Sequence, residues 1–391
     1  MSYHGRFESQ KTQKSKKKKS AGKIVLIVVA VVLALVVGAI IAGVVYYNSK
    51  LDKINQIEVP KIEYTTAAED DLFADPEGAP TEAAAQAEAT VSAEPTETTE
   101  PAHIPSSEDY INILVVGQAA RAGETANSER MADTSILCTI NTHEKSLTLT
   151  SFLRDTLVRP PNFRGKEFGK IKLTTVYHLG SYYSNGDIAG SMELMNLTLF
   201  NNFGVEVDHN FEIDFDIFIK VIDLMNGVTV NLTQEESDYL NAEDAWVCYD
   251  TQPGWFHLDG AGALTYARMR KAEGDGDSDI KRTARQRHLI ECIIFGLKQL
   301  SISDINKIAD EVLPMITTSM SSAEITDMIM KMLPMLTELQ IKTGGTCPVQ
   351  GTYWGSTKDI YGDGFYHSVL EFEAPQQKKL MRAITEGESA D

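Results

Sequence analysis

The chain has 391 residues, of which 43% are hydrophobic, and it carries a formal net charge of −19 at pH 7. The apolar share is enough for a folded core, whereas the excess of acid excludes a partner held by a general basic face, so no nucleic acid is expected.

Residues 1–23 run against that acidic background. Arg6, Lys11, Lys14, Lys16, Lys17, Lys18, Lys19 and Lys23 stand there against the single acid Glu8. The next stretch, from Ile24 to Tyr47, has no charge and consists mostly of branched apolar residues. At roughly 1.5 Å per residue it makes about 36 Å of helix, enough to cross a hydrocarbon core. A cleaved secretory signal is the competing reading, but its apolar run is only about 7–15 residues and ends at a small-residue cleavage site, which this run lacks. The predicted element is therefore a transmembrane helix over 24–47. The positive flank places residues 1–23 in the cytoplasm and the remainder outside the cell, as a single-pass protein of the cell membrane.

Residues 48–108 are predicted to be a linker. After a short polar stretch, the segment from Thr65 onward is Ala, Thr, Glu and Pro with hardly a large apolar residue, too little to drive burial. Folded structure is expected over 109–384, followed by a tail at 385–391. YINILVVG from Tyr110, SILCTIN from Ser135 and SLTLTSF from Ser146 read as strands, and as neighbours in one sheet. Helices follow that end at Gly204 and at Gly227, where glycine supplies the left-handed cap, and VTVNL from Val228 is a further strand. Such alternation predicts an α/β fold with a sheet sandwiched by helices. A short helix through ALTYA leads to Arg268, and a long helix begins near Asp279. Leu289, Ile293, Leu297 and Leu300 mark its apolar face, while Asp279, Arg282 and Gln286 share a neighbouring stripe. Two helices are expected over 303–340, then strands, and a last helix from Glu373.

Arginine is the candidate functional residue. Arg154 in SFLRD, Arg268 and Arg270 in YARMR, and Arg282 in DIKRTARQR each stand at the end of an apolar run or the start of a helix. The planar guanidinium matches phosphate oxygens two at a time, so a pyrophosphate is the anion that this pattern predicts. Arg285 and Arg287 read instead as solvated ion pairs. Met192, Met195, Leu224 and Met225 are candidates to line an apolar groove, although methionine at helical spacing is more often core. Cys138 and Cys292 read as buried small hydrophobes. Cys248 and Cys347 lie in loop-like segments and are candidates for a disulfide.

Six motifs in chain order, VVGQAAR, ERMADTSIL, SFLRD, GKIKLTT, YARMR and DIKRTARQR, resemble those of the LytR-CpsA-Psr family of Gram-positive bacteria. The likeness covers most of residues 110–300. It implies a three-layer α/β domain behind one transmembrane helix. It also implies transfer of a wall glycopolymer (teichoic-acid-like, capsular or other) from a polyprenyl-pyrophosphate carrier to peptidoglycan. By the same likeness Arg121, Arg154, Arg268, Arg270, Arg282 and Gln286 contact pyrophosphate, Asp279 is the carboxylate near the reaction centre, and Asp133 is one of two aspartates that hold Mg²⁺. The second is missing, because the family's Gly-x-Asp reads Gly117, Gln118, Ala119 here, so weak metal binding is expected. Lys172 also replaces an asparagine of the family pattern, leaving Lys170 as a positive contact. Two other readings stand beside the ligase: a hydrolase of the same donor, and a noncatalytic lipid- or wall-binding protein.

Overall fold

A computed structural model describes residues 50–62, 109–118, 130–243, 252–269, 278–332, 335, 338–362 and 364–386. The chain divides into two units, Met1–Lys50 and Leu51–Asp391. Only Lys50 of the first is described, and the fold is that of the second. The Ile24–Tyr47 run lies outside the described residues, among which no helix is long and apolar enough to cross a membrane.

The centre is a mixed sheet of seven strands. Its middle is β2 (Tyr110–Gln118), β3 (Ala132–Asn141) and β4 (Ser146–Phe152), paired antiparallel in sequence order. These are the three runs expected as neighbours. Beyond β4 lies β11 (Gln340–Cys347), parallel to it. On the other side of β2 come β7 (His209–Ile213), parallel, then β10 (Thr317–Thr318) and β1 (Asn55–Gln56). The outermost strand corrects the linker boundary. Leu51 and Ile54 are buried in a cluster with Met320 and Ile325, and Asn55 and Gln56 pair with Thr317 and Thr318. Residues 51–62 thus belong to the domain.

Strand alternation divides the sheet into two faces. Leu114 and Val116 of β2 and Leu137 of β3 point into the main core, where α1 (Leu173–Tyr183), α2 (Ile188–Phe203) and α9 (Ala374–Thr385) cover them. Met192 and Met195 of α2 are fully buried in that core and line no groove. The opposite face presents Ile111, Ile113, Ile136, Cys138 and Ile140 to α6 (Ser278–Leu297) and α8 (Ser322–Met332). A reciprocal pair of amide bonds between Asn196 and Asn210, 2.9 and 2.8 Å, fastens α2 to β7 without leaving a buried amide unpaired.

Between these lie α3 (Phe215–Leu224), β8 (Val228–Leu232), α4 (Gln234–Glu243), β9 (Gly254–Leu258) and α5 (Gly260–Arg268). The strand expected at VTVNL forms, but as half of a separate two-stranded ribbon with β9 rather than in the main sheet. The expected pair of helices after residue 300 is α7 (Ile302–Val312) and α8, with Pro314 in a 3-10 turn and β10 between them. The C-terminal part adds the hairpin β12 (Tyr353–Lys358) and β13 (His367–Phe372). A short ribbon of β5 (Leu157–Val158) and β6 (Ile171–Lys172) completes the set. Helices therefore flank a central mixed sheet, as the alternation predicts.

Helices α1 and α2 approach so closely that a β-carbon at Gly180 would stand 2.3 Å from the Gly190 carbonyl oxygen and 2.6 Å from Ser191 Cα. Both obstacles are backbone, so the contact cannot relax by rotating a side chain. Gly180→Ala should destabilise the domain by about 1–3 kcal/mol, the usual cost of overpacking, read as a lower urea midpoint. Gly169→Ala, with nothing within 4 Å of its added methyl, is the control. Equal midpoints for the two variants would contradict this packing.

Candidate active site

The second face of the sheet is only partly filled. Over β2 and β3 it opens into a cavity of about 800 Å³, within the usual size of a small-molecule site. Val115 and Gly117 of β2 and Ile136 and Cys138 of β3 form its floor, since they alternate with the residues that face the main core. Phe215, Ile217, Phe218 and Val221 of α3 make one wall, Leu264 and Ala267 of α5 a second, and α6 a third.

Helix α6 sorts the cavity by polarity. Arg282 and Gln286 from its first turns, then Leu289, Ile290 and Ile293, line one continuous stripe, spaced as one side of a helix. The charged end collects further groups: Arg268 from the last turn of α5, Asp133 and Thr134 from β3, and Asp214 before α3. Arg282 is only 4% exposed. Its Nη2 lies 2.5 Å from Asp279 Oδ1 and donates to the Asp133 carbonyl at 3.4 Å. The Arg268 guanidinium stacks over the Phe215 ring at 4.9 Å, a cation–π contact.

Arg154 comes from the loop after β4. The Leu153 amide donates to the Cys347 carbonyl at 2.9 Å, and the Thr174 amide at the start of α1 donates to the Arg154 carbonyl at 3.0 Å. So held, the guanidinium forms an ion pair through Nη1 with Asp133 Oδ1. Its Nε is buried and has no hydrogen-bond acceptor among the described residues, Asp155 Oδ2 standing off at 3.8 Å. Lys172 binds the same Asp155 at 2.8 Å. The structure thus gathers Asp133, Arg268, Arg282 and Gln286 on one cavity, with Arg154 joined to it through Asp133 and Asp279 through Arg282. Arg121, Arg270 and Ala119 lie outside the described residues.

Two arginines correct the expectation of solvated pairs. Arg285 is 5% and Arg287 7% exposed. Arg285 reaches Glu236 Oε1 of α4 at 3.3 Å and donates to the Met269 carbonyl, just past the end of α5, at 2.6 Å. Arg287 donates to Ser151 Oγ of β4 at 2.7 Å, and burial pulls its pKa down. Gln286 adds a bond to the Ala267 carbonyl at 3.3 Å. These contacts fix α5 against α6 and so bring Arg268 and Arg282 to one mouth.

A second polar group escaped the sequence reading. Glu212 of β7 accepts from Tyr177 at 2.7 Å, Gln118 at 3.0 Å and Arg130 at 3.0 Å. Burial raises its carboxyl pKa. The network ties the ends of β2 and β7 to α1, beneath the cavity floor. No local pattern marks it, because its members are far apart in sequence. The cavity wall on α3 did leave a sign: FDIFIKVIDL is apolar around most of its circumference, as a helix between a core and a hollow must be.

The described cysteines are free thiols. Burial pushes the Cys138 thiol up to about 12, far from a thiolate nucleophile at neutral pH. Cys347 is a buried free thiol, and Cys248 lies outside the described residues.

The family likeness implies a divalent metal held between two aspartates, and the described residues do not offer that pair. Asp133 carries a guanidinium on its carboxylate. Gln118 turns its amide to Glu212, and Ala119 has no donor. Among the described residues no three acids, histidines or cysteines cluster to hold a metal.

A family model described as the LytR_cpsA_psr family matches residues 79–363. Among curated proteins, the polyisoprenyl-teichoic acid–peptidoglycan teichoic acid transferase TagT of Bacillus subtilis is 32% identical over 196 residues, 50% of this chain and 55% of its own. The chain spans about half the length of the curated relatives it matches. The crystal structure of B. subtilis TagT has a TM-score of 0.52 at 21% identity, covering 74% of this chain and 96% of that one. A structure of TagT bound to LIIa-WTA also scores 0.52 at 21% identity, covering 74% and 95%. At that identity the structural likeness shows the fold.

The Arg285 and Glu236 pair gives a test of the site's scaffold. Arg285→Ala strands a buried carboxylate and should cost about 3–5 kcal/mol of unfolding free energy. The double variant Arg285→Met, Glu236→Leu removes both charges and should recover most of that loss. A double variant as unstable as the single one would show that the pair is not what holds α4, α5 and α6 together.

Proposed function

We propose that this chain, which belongs to the LytR_cpsA_psr family, transfers a glycopolymer from a polyprenyl-pyrophosphate carrier to peptidoglycan. The observation that carries the reading is the cavity itself, guanidinium-lined at one end and apolar along the rest of α6. A prenyl pyrophosphate has the same division. Each buried methylene of its tail contributes about 0.8 kcal/mol, and the arginines supply charge-assisted bonds to the phosphates. The named activity of the B. subtilis relative, teichoic acid transfer to peptidoglycan, supports the reading. So does the LIIa-WTA to which TagT is bound in the similar structure.

In this reading the acceptor, a sugar hydroxyl of peptidoglycan such as that of muramic acid, attacks the phosphorus on the glycan side of the pyrophosphate. The bond from that phosphorus to the bridging oxygen breaks, a phosphodiester forms and polyprenyl phosphate leaves. Phosphoryl transfer asks mainly for positioning and charge neutralisation. Arg154, Arg268 and Arg282 hold the phosphates and take up charge on the leaving oxygen. Asp279 accepts the hydroxyl's proton once Arg282 turns from it to the phosphate. Gln286, whose Oε1 is buried with no hydrogen-bond partner among the described residues, receives a donor from the substrate. The reaction takes place outside the cell if Ile24–Tyr47 anchors the chain with its basic tail inside, which also keeps the site beside a membrane-borne donor.

The full chain in detergent, given a polyprenyl-pyrophosphate-linked glycan, should release polyprenyl phosphate only when peptidoglycan is added. Arg282→Ala should slow release by about a hundredfold or more, in the range of lost transition-state donors, with its circular dichroism unchanged. Release without acceptor would establish a hydrolase. Lipid binding with no release under any condition would establish a binding protein.

A further inference from the structure

We infer that this chain neutralises its pyrophosphate with guanidinium groups alone, Arg154 occupying at Asp133 the place that a divalent cation would need. The inference rests on the pyrophosphate reading above and goes beyond it, since it names the counter-charge.

Every described carboxylate near the mouth already has a partner. Asp133 holds Arg154, Asp155 holds Lys172, and Asp279 holds Arg282. Asp214 caps α3 by accepting from the Ile217 amide at 2.8 Å. Magnesium demands a near-octahedral shell of oxygens, with one or two carboxylates free to face it. Here β2 ends in Gly117 and Gln118, whose one side-chain oxygen belongs to a glutamine with its amide turned toward Glu212, and Ala119 next in sequence has none. A dication at Asp133 would also stand beside the Arg154 guanidinium, a like charge at short range in a half-buried site, where repulsion is weakly screened.

The same contacts suit an anion. Arg154 is held in place by its backbone bonds and by Asp133, and its buried Nε has no acceptor among the described residues. A phosphate oxygen that reaches that edge would find a desolvated donor whose nearest acid, Asp155, stands off at 3.8 Å. Replacing a metal by guanidiniums keeps the charge and exchanges a coordination shell for directional hydrogen bonds.

The test is equilibrium binding of geranylgeranyl pyrophosphate to the full chain in detergent, by titration calorimetry, in buffer with 5 mM Mg²⁺ and in buffer with EDTA. The expected result is a Kd that differs by less than about twofold between the two, because no cation is part of the site. Arg154→Ala should weaken binding by about ten- to a hundredfold in EDTA, the loss of one or two charge-assisted bonds. Arg154→Lys, which keeps the charge but not the fork, should fall between. Mg²⁺ should partly rescue Arg154→Ala, where Asp133 is released, and leave the parent unchanged. Tenfold or stronger dependence of the parent on Mg²⁺ overturns the inference and leaves the pyrophosphate reading standing. Equal binding by the parent and Arg154→Ala in EDTA overturns it too, by removing Arg154 from the site. No binding in either buffer overturns the pyrophosphate reading itself, and the inference with it.

Discussion

The buried Arg285 guanidinium is the interaction on which the geometry of the mouth depends. It joins the side chain of Glu236 on α4 to the Met269 carbonyl, just past the end of α5, from a position within α6. A guanidinium at a helix C-terminus is favoured by the helix dipole as well as by its hydrogen bonds. Three elements that share no strand of the main sheet are thereby set in one register, and Arg268 and Arg282, on different helices, come to face one space. Losing either partner would leave an uncompensated charge in the interior, so the constraint is stiff as well as local.

An acidic protein with the proposed anion site is no contradiction. Charges at the exposed surface are screened within roughly 8 Å at physiological ionic strength, so the overall −19 acts weakly at the cavity. What governs the mouth is the local set of guanidiniums, each oriented by a carboxylate, a carbonyl or a ring. The carboxylates that orient them also restrain their charge until a stronger acceptor arrives. Asp279 is the instructive case, since the ion that occupies it is the same one that the phosphate would draw away.

The central strands were readable because β2, β3 and β4 are long apolar runs, and the helices because glycine stops and apolar stripes mark them. The outer strands were not. Thr317–Thr318 and Asn55–Gln56 are too short and polar to carry a period of two, and β11, with Gly344 and Gly345 at a bulge, reads as a turn. Pairing partners far away in sequence, rather than any local preference, make them strands. Arg154, Arg268 and Arg282 were legible through their motifs. The roles of Arg285 and Arg287 were not, because in a charged helix every arginine looks alike until Glu236 and Ser151 are brought to it from 49 and 136 residues away. The groove was sought around Met192, Met195, Leu224 and Met225; Leu224 and Met225 pack against α7 at the end of α3, and Met192 and Met195 lie on the filled face of the sheet. It lies on the other, where α3 carries more apolar surface than one contact can cover.

The strand at Asn55–Gln56 changes what the acidic Ala, Thr, Glu and Pro segment can do. Residues 51–62 are fastened to one edge of the sheet and Tyr110 begins its central strand, so both ends of the segment between them are fixed in the domain. A tether gains reach with every residue added; an excursion with both ends fixed gains none. Its length is then nearly free to drift, since each doubling of a closed loop costs only about 0.6 kcal/mol.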